Sequence, residues 1–388
     1  MLLDGYWKVA KDPKNKGEEI GYQKENYDDS AWLKIRVPGH WQEESNELRE
    51  YSGILWYRSK FEYRKTSNKV VWLKFNGVFY KTTVWLNGKR LGMNEGYFFP
   101  FKFNITNIVK ENNTLAVKVE SYNEKRLNSK KQIAGIFYHW DCRDPTFNPG
   151  GIWKSIEIYE TGIAWIERVK IIPKIVEDYA EIRLLLIIGS VEEKKVSIHI
   201  EIKPHNFEGE QIRRSIEIDV KPGTNTIEQI FKIKNPKLWW TWDTGKQNMY
   251  CVQIQVFSNG DLSDQKTVRF GIKNIELEKR RNGWVFYLNG KRLFIRGTNY
   301  GPTKQRLSYV SREDIEKDVR MMREANINMV RIHAHVFPDA LEVFDEYGIL
   351  VWQDMPLQWM YSKKTEKTIL ENAKHLVKLT ENNPSLAV

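Results

Sequence analysis

The stretch between Leu293 and Pro356 alternates between two kinds of pattern, and this alternation constrains the fold more than any other feature of the chain. Three short apolar runs predict strands: Phe294–Thr298, Met329–Ile332 and Ile349–Trp352. Between the first two, Ser311 is a good helix N-cap and is followed by apolar residues at helical spacing. Ala340–Tyr347 predicts a second helix before the third strand. Strands that alternate with helices of this length indicate parallel βαβ units.

Polar residues stand where these strands end. In a parallel sheet, binding and catalytic side chains collect at the carboxyl ends of the strands. The residues at those ends can all form hydrogen bonds: Asn299, Arg331, His333, His335, Gln353 and Asp354. Because a buried strand does not need such residues there, we expect a binding site at this edge of the sheet.

Arg331 could hold a carboxylate through a bidentate ion pair, or form a structural salt bridge inside a barrel. Asn299 and Asp354 suit the recognition of hydroxyl groups, or could be simple turn residues. His333 and His335 are separated by one residue, so an extended segment would point both side chains the same way. Two histidines at this spacing could bind a metal, but no third ligand is evident. Hydrogen bonding to hydroxyls or carboxylates is therefore favoured, a purely structural role is the alternative, and neither a metal nor a cofactor is expected.

The remainder of the chain divides into two β-rich parts and one mixed part. Residues 1–160 contain short strands and an Asn87-Gly88 hairpin signal, which predict a jelly-roll-like β-sandwich. Residues 161–273 contain seven runs typical of strands, the number of an immunoglobulin-like β-sandwich. Residues 274–388 hold the strand–helix alternation, a third helix and the start of a fourth strand. Since a (β/α)8 barrel takes about 250 residues and only about 115 remain, we expect the first part of a barrel.

Composition limits the partners and the compartment. The net charge is +11, but Lys and Arg are interleaved with Glu along the chain, so nucleic-acid binding is not expected. The two cysteines, Cys142 and Cys251, indicate no disulfide framework. The longest apolar run, Leu184–Ile188, is too short to cross a bilayer, and no signal peptide is visible. A soluble cytoplasmic protein with no membrane contact is expected, and a homo-oligomer stays open.

Several motifs, in order, resemble those of the family 2 glycoside hydrolases, which include β-galactosidases, β-glucuronidases and β-mannosidases. They are LWYRSKFE, VWLNGKRLG, GGIWKSIEI, LNGKRLFIRGTNY, NINMVRIHAH and DEYGILVWQDMP. RGTNYGP, GILVWQD and FYHWDCRDP look closer to the β-mannosidase branch. The segment Arg331-Ile-His333-Ala-His335-Val-Phe-Pro338 departs from the Arg-x-x-His-Tyr-Pro form of β-galactosidases and β-glucuronidases.

The resemblance implies retaining hydrolysis by two carboxylates about 5–5.5 Å apart. In the family these are glutamates at the ends of the fourth and seventh barrel strands. This sequence ends shortly after Asn382-Asn383-Pro384-Ser385, ahead of the family's Asn-Glu pair, so no catalytic residue is expected within it. The resemblance also implies that Trp140 and Asp141 reach the pocket as an aromatic platform and a hydroxyl acceptor, although packing between domains is the alternative.

The sequence therefore predicts the amino-terminal part of a retaining exo-β-glycosidase that acts on β-mannosides or β-galactoside-like substrates. A second polypeptide could complete the barrel. The alternative is a non-catalytic carbohydrate-binding protein, or the remnant of a split or truncated gene.

Overall fold

The first part of the chain folds into a β-sandwich in the computed structural model, which describes residues 1–124, 126, 128–138, 147–281 and 283–388. A six-stranded antiparallel sheet of order β2-β1-β3-β8-β5-β6 packs on a three-stranded sheet of order β7-β4-β9. Its strands are β1 (Gly5–Lys11), β2 (Leu33–Val37), β3 (Gly53–Glu62), β4 (Val70–Phe75), β5 (Lys81–Leu86), β6 (Lys89–Glu95), β7 (Phe101–Asn104), β8 (Asn112–Ser121) and β9 (Ile156–Thr161). Two single-turn helices, α1 (Gly17–Ile20) and α2 (Trp41–Glu44), lie in its loops. The Asn87-Gly88 hairpin is confirmed, with φ of 52° and 75° at the two turn residues.

The second part contains the seven predicted strands. They are β10 (Ala164–Val176), β11 (Tyr179–Ser190), β12 (Lys194–Pro204), β13 (Ile212–Val220), β14 (Gly223–Lys234), β15 (Tyr250–Ser258) and β16 (Asp261–Phe270). They form two sheets, of order β10-β11-β14 and β13-β12-β15-β16. Every second residue of β11 from Ala180 to Ile188 is buried between the sheets, as the alternating sequence predicts.

The third part begins with a three-stranded antiparallel sheet and continues as parallel βα units. The antiparallel strands are β17 (Ile275–Arg280), β18 (Gly283–Leu288) and β19 (Lys291–Leu293). The units that follow are β20 (Gly297–Tyr300), α3 (Arg312–Glu324), β21 (Met329–Ile332), α4 (Pro338–Tyr347), β22 (Leu350–Gln353) and α5 (Glu366–Thr380). β20, β21 and β22 pair in parallel, and Leu386 bridges to Val351 in parallel as a fourth strand begins. The fold class predicted from the sequence is confirmed.

The predicted limits of the elements hold where local sequence determines them. β21 has the predicted bounds. Ser311 and Asp314 form a reciprocal capping box, with Asp314 N donating to Ser311 Oγ and Ser311 N donating to Asp314 Oδ2. α4 begins two residues earlier than predicted, at Pro338, because proline fits the first turn of a helix. The domain divisions after residues 160 and 273 stay predictions.

The first parallel strand differs from the prediction. It spans Gly297–Tyr300 instead of Phe294–Thr298, and Asn299 therefore lies within the strand and not after it. The cause is the buried side chain of Asn328, whose Nδ2 donates to Phe294 O at 3.0 Å and whose Oδ1 accepts from Arg296 N at 2.9 Å. These backbone groups bond to a side chain and not to a neighbouring strand, so the chain pairs only from Gly297 onward.

Aromatic residues connect the three parts. One apolar cluster joins sandwich residues such as Tyr97, Phe137 and Trp153 to Val330 and Phe344 of the βα units. A second cluster forms around Trp239, which lies between β14 and β15 of the immunoglobulin-like part, is fully buried, and packs on β18, β19, β21 and β22. Trp239 Nε1 donates to Asp345 O and Trp242 Nε1 donates to Ile327 O, so this segment packs at the junction with the βα units.

The start of the fourth strand is held by the buried Asp345 and the half-buried Lys273. Asp345 on α4 accepts hydrogen bonds from Ser385 N at 2.8 Å and Asn383 Nδ2 at 2.6 Å. Lys273, at the end of the immunoglobulin-like part, donates to Leu386 O. Burial raises the pKa of Asp345 to about 7 and lowers the pKa of Lys273 to about 7. The immunoglobulin-like part and α4 thus fix this strand together.

His40 links the sandwich to the loop after β20. Its Nδ1 lies 2.7 Å from Pro149 O, which can only accept, so Nδ1 carries the proton. Its Nε2 accepts from Ser308 N at 3.4 Å. The ring is fully buried, and burial lowers the pKa of His40 to about 4. His40 is therefore neutral in the folded protein near pH 7.

Among the described helices, none is long and apolar enough to cross a membrane.

The role of Asn328 gives a stability prediction. Asn328→Ala removes its bonds to Phe294 and Arg296 and should lower the free energy of unfolding by about 2–3 kcal/mol. Asn299→Ala, in the adjacent strand, is the matched control, because the exposed Asn299 side chain makes no hydrogen bond to a described residue; it should change stability by less than about 0.5 kcal/mol. Urea denaturation of the three proteins measures both values, and equal losses would contradict the account of β20.

His40 gives a prediction for acid stability. Between pH 6.5 and 4 the unfolded state takes up a proton on this residue while the folded state does not, so stability falls as pH falls. His40→Asn, whose amide can still donate to Pro149 O, should lose about 3 kcal/mol less than the unaltered protein over this range. Urea midpoints at several pH values test this, with the exposed His205→Asn as control. An unchanged pH dependence in His40→Asn would contradict it.

Candidate functional site

One row of side chains crosses the parallel sheet and is open to solvent. Asn299, Arg331 and Trp352 are register neighbours in β20, β21 and β22, and all three are exposed. Met329 in β21 and Leu350 in β22 lie two residues earlier on the same face. Both are buried in the cluster around Trp239. This face is therefore closed and apolar at the amino ends of the strands, and open and polar toward their carboxyl ends.

The opposite face of β21 and β22 is apolar. Val330, Ile332 and Val351 alternate with the open row and are buried in the core shared with α3 and α4. Helices thus cover one face, and the other face is the inner surface of a (β/α) barrel. The exposed row lies where the loops of such a barrel surround its mouth.

Asp354, the first residue after β22, accepts hydrogen bonds from several donors. Arg331 makes a bidentate pair with it, with Nε 3.1 Å from Oδ1 and Nη2 2.8 Å from Oδ2. His333 Nδ1 and Ala334 N each lie 3.3 Å from Oδ2. Oδ2 therefore has three donors and Oδ1 has one. Oδ1 keeps a free lone pair, and the Asp354 side chain is 15% exposed.

The tautomer of His333 follows from its two partners. Gln358 Nε2, which can only donate, lies 3.4 Å from His333 Nε2. His333 Nε2 therefore accepts, and Nδ1–H donates to Asp354. In this orientation His333 helps to fix the carboxylate of Asp354.

His335 does not share this site. The expectation that His333 and His335 point the same way is wrong, because Ala334 between them has a left-handed φ of 51° and the segment is not extended. His335 is only 1% exposed, and its Nδ1 lies 3.1 Å from His333 O. Burial lowers the pKa of His335 to about 4. It cannot reach a ligand in this structure and instead packs behind the turn.

The structure brings together four of the seven predicted binding residues: Asn299, Arg331, His333 and Asp354. Trp140 and Asp141 lie outside the described residues. Within the described part of the chain, no group of three His, Cys, Asp or Glu side chains is placed to hold a metal ion.

Two contributors were missed by the sequence interpretation. Trp352, which is 42% exposed, follows from period-two alternation, because it precedes Asp354 by two residues and shares the face of Arg331. Gln358 had no such signal, because its contact with His333 depends on the path of the loop after β22.

Three models of glycosyl hydrolase family 2 domains match consecutive parts of the chain. The galactose-binding domain-like model matches residues 40–154, the family 2 model matches residues 164–273, and the TIM barrel domain model matches residues 279–387.

Relatives and solved structures agree with these matches. The chain is 27% identical over 377 residues to a putative β-glucuronidase of Formosa agariphila, covering 93% of this chain and 42% of the relative. It is 26% identical over 348 residues to a β-galactosidase of Thermoanaerobacter pseudethanolicus, covering 87% of this chain and 44% of the relative. The chain thus spans less than half the length of either protein.

Among solved structures, a β-D-mannosidase from Dictyoglomus thermophilum superposes with a TM-score of 0.81 at 23% identity, covering all of this chain and 51% of the other. A Bacteroides uniformis β-glucuronidase superposes with a TM-score of 0.79 at 21% identity, covering all of this chain and 46% of the other. At these identities the likeness is one of fold. From the three domain matches in this order, with the sandwich, the immunoglobulin-like part and the opening barrel, the chain belongs to glycosyl hydrolase family 2.

Proposed function

We propose that this chain forms the amino-terminal part of a retaining exo-β-glycosidase that acts on β-mannosides or β-galactosides. The observation that carries the proposal is the open row at the mouth of the parallel sheet, where Arg331, His333 and Asp354 form one hydrogen-bonded cluster beside Asn299. Sugars present adjacent hydroxyl groups that both donate and accept, and this cluster offers an amide, a guanidinium and a carboxylate from three adjacent strands.

Each residue of the cluster has a proposed role. Asp354 Oδ1 and the Asn299 amide bind hydroxyl groups of the terminal sugar, with Trp352 at the side of the pocket. The Arg331 Nη1 group makes no hydrogen bond or ion pair with a described residue, so it can take a second carboxylate while Nε and Nη2 hold Asp354. We propose that this second carboxylate is the nucleophile of the complete enzyme. Trp140 and Asp141 stay proposed contributors from the sandwich.

The catalytic carboxylates are proposed to come from other (β/α) units. Retaining hydrolysis needs two carboxylates about 5–5.5 Å apart, one as nucleophile and one as acid and base. Among the described residues near the open row, Asp354 stands alone as a carboxylate and is already paired with Arg331. Glu342 and Glu346 on α4 form ion pairs with Arg269 of the immunoglobulin-like part, away from the row. Further residues of the protein, or a second polypeptide, would supply the missing pair.

One observation favours a second candidate function for this chain by itself. Since its described residues present hydroxyl-binding groups but no facing carboxylate pair, the chain alone fits carbohydrate binding without hydrolysis. The two functions differ only in whether the remaining units of the barrel join this one.

The first functional prediction concerns hydrolysis. The 388-residue chain alone should not turn over aryl β-mannosides or aryl β-galactosides above the buffer rate, because its described residues present no facing carboxylate pair at the open row. Release of the aryl group is followed by absorbance. Mixing with the polypeptide encoded by the neighbouring gene should restore activity if that polypeptide completes the barrel.

Turnover by the chain alone that a single Asp or Glu substitution within it abolishes would refute this division of roles. Aryl β-glucuronides, tested alongside, would reveal a different sugar specificity.

The second functional prediction concerns binding. Arg331→Ala removes the bidentate partner of Asp354 and should weaken the binding of methyl β-mannoside or methyl β-galactoside by about 10- to 100-fold, the range expected for a lost charge-assisted contact. Ligand-observed NMR measures the affinity. Arg320→Ala is the matched control, because Arg320 lies on α3, where it contacts Glu316 at 3.5 Å and the Tyr347 hydroxyl at 3.4 Å. Equal effects of both substitutions would remove Arg331 from the site.

A further inference from the structure

We propose that Tyr97 and Gly135 of the sandwich are positioning residues that hold the turn at Ala334 and thereby aim the carboxylate of Asp354. The inference rests on the proposed function, in which Asp354 accepts a sugar hydroxyl. In this arrangement the sandwich sets the geometry of the Asp354 carboxylate through backbone contacts and does not touch the substrate.

Two hydrogen bonds connect the sandwich to this turn. The Tyr97 hydroxyl accepts from Val336 N at 2.8 Å, and Ile136 N donates to Ala334 O at 3.1 Å. Gly135 makes the second contact possible, because a Cβ atom added there would lie 1.7 Å from Ala334 O. Gly135 also has a φ of 52°, which glycine adopts without cost. Any larger residue would push the two loops apart.

Ala334 is the residue that the contact with Gly135 and Ile136 holds in place. It is an alanine with φ of 51°, a conformation that costs about 1–2 kcal/mol in residues other than glycine and persists where the surroundings enforce it. Its carbonyl accepts from Ile136 of the sandwich, and its amide donates to Asp354 Oδ2 at 3.3 Å. The residue therefore connects the sandwich to the carboxylate through its own two peptide groups.

Tyr97 is a rigid support for this turn. It is fully buried, its ring stacks on Phe79 at 4.9 Å and packs edge-on against Phe137 at 5.5 Å. Its carbonyl accepts from Trp153 Nε1 at 2.9 Å. Burial raises the pKa of Tyr97, so its hydroxyl stays protonated at working pH.

The sandwich also holds the loop that carries Asp354. Lys130 N donates to Met360 O at 3.2 Å, and Ser362 N donates to Lys130 O at 2.9 Å, which adds one parallel bridge between the two parts. The Lys130 ammonium lies 4.6 Å from the ring centre of Tyr361. Both loops that meet at Asp354, the one after β21 and the one after β22, thus rest on the sandwich.

If the support of the turn is lost, Ala334 can relax to a negative φ. The amide of Ala334 and the ring of His333 would then leave Asp354 Oδ2. With Arg331 alone to hold it, the carboxylate would rotate more freely, and its bond to Arg331 Nε–H would open more often. The proposed hydrogen bond between Asp354 and a sugar hydroxyl would then no longer have a fixed geometry. Tyr97 and Gly135 touch no reacting atom, so their role is positioning and not catalysis.

The test uses Tyr97→Phe in the full chain, which removes only the hydroxyl. The first readout is the hydrogen-exchange rate of the Arg331 Nε–H signal in nitrogen-15 NMR, assigned with Arg331→Lys. This rate reports the bond to Asp354 directly, at a temperature where circular dichroism shows the variant to be folded. We expect exchange about tenfold faster, the scale of one lost hydrogen bond. Tyr63→Phe is the matched control, because its hydroxyl bonds to Glu160 within the sandwich; it should leave the rate unchanged.

The second readout is the affinity for methyl β-mannoside and methyl β-galactoside, which Tyr97→Phe should weaken about three- to tenfold relative to the control. Gly135→Ala should act in the same direction on both readouts; if it does not fold, Tyr97→Phe decides alone. An unchanged Arg331 Nε–H rate in folded Tyr97→Phe would overturn the proposal. Faster exchange in a chain that binds neither glycoside would support the positioning role and count against the proposed function.

Discussion

The packing of the aromatic residues of the sandwich against the first βα units is the contact on which the rest of the structure depends. Parallel strands are normally buried on both faces, yet the sheet of β20, β21 and β22 has helices on one face only. The sandwich contributes Tyr97, Phe137 and Trp153 to the core behind those helices and loops. The conformation of the strand-exit loops, and hence the candidate site, follows from a core that belongs to two parts of the chain at once.

The immunoglobulin-like part has a comparable role at the other end of the sheet. It contacts the βα units through Trp239, Lys273 and the ion pairs of Arg269. These contacts approach the sheet from its amino ends and helices, whereas those of the sandwich approach from the loops after the strands. The two β-rich parts therefore hold the same three strands from opposite sides. The two β-rich parts that precede the barrel strands in the chain thus support the site from both ends of those strands.

Secondary-structure elements could be predicted from the sequence wherever they depend on a local pattern of residues. The bounds of β21 and the seven strands of the second part follow from side-chain alternation and apolar runs, and the capping box of α3 follows from two residues three apart. The first parallel strand could not be placed correctly, because Asn328 lies about thirty residues beyond the segment whose backbone it binds. Likewise, nothing near His335 indicates that Ala334 has a positive φ, since that conformation depends on Gly135 and Ile136. Polar residues at strand ends identify a site, but long-range contacts decide which of them face it.

One buried layer affects how molecules would enter and leave a completed barrel. It is formed by Met329, Leu350, Leu288, Leu293 and Trp239. It closes the inner face of β21 and β22 at their amino ends and leaves that face open at their carboxyl ends. If the remaining units close the barrel in the same way, the proposed substrate would enter by a chain terminus. The released sugar would then leave by the opening through which the substrate arrived. Departure of one product and arrival of the next substrate would then compete for the same passage, beside the loops that the sandwich supports.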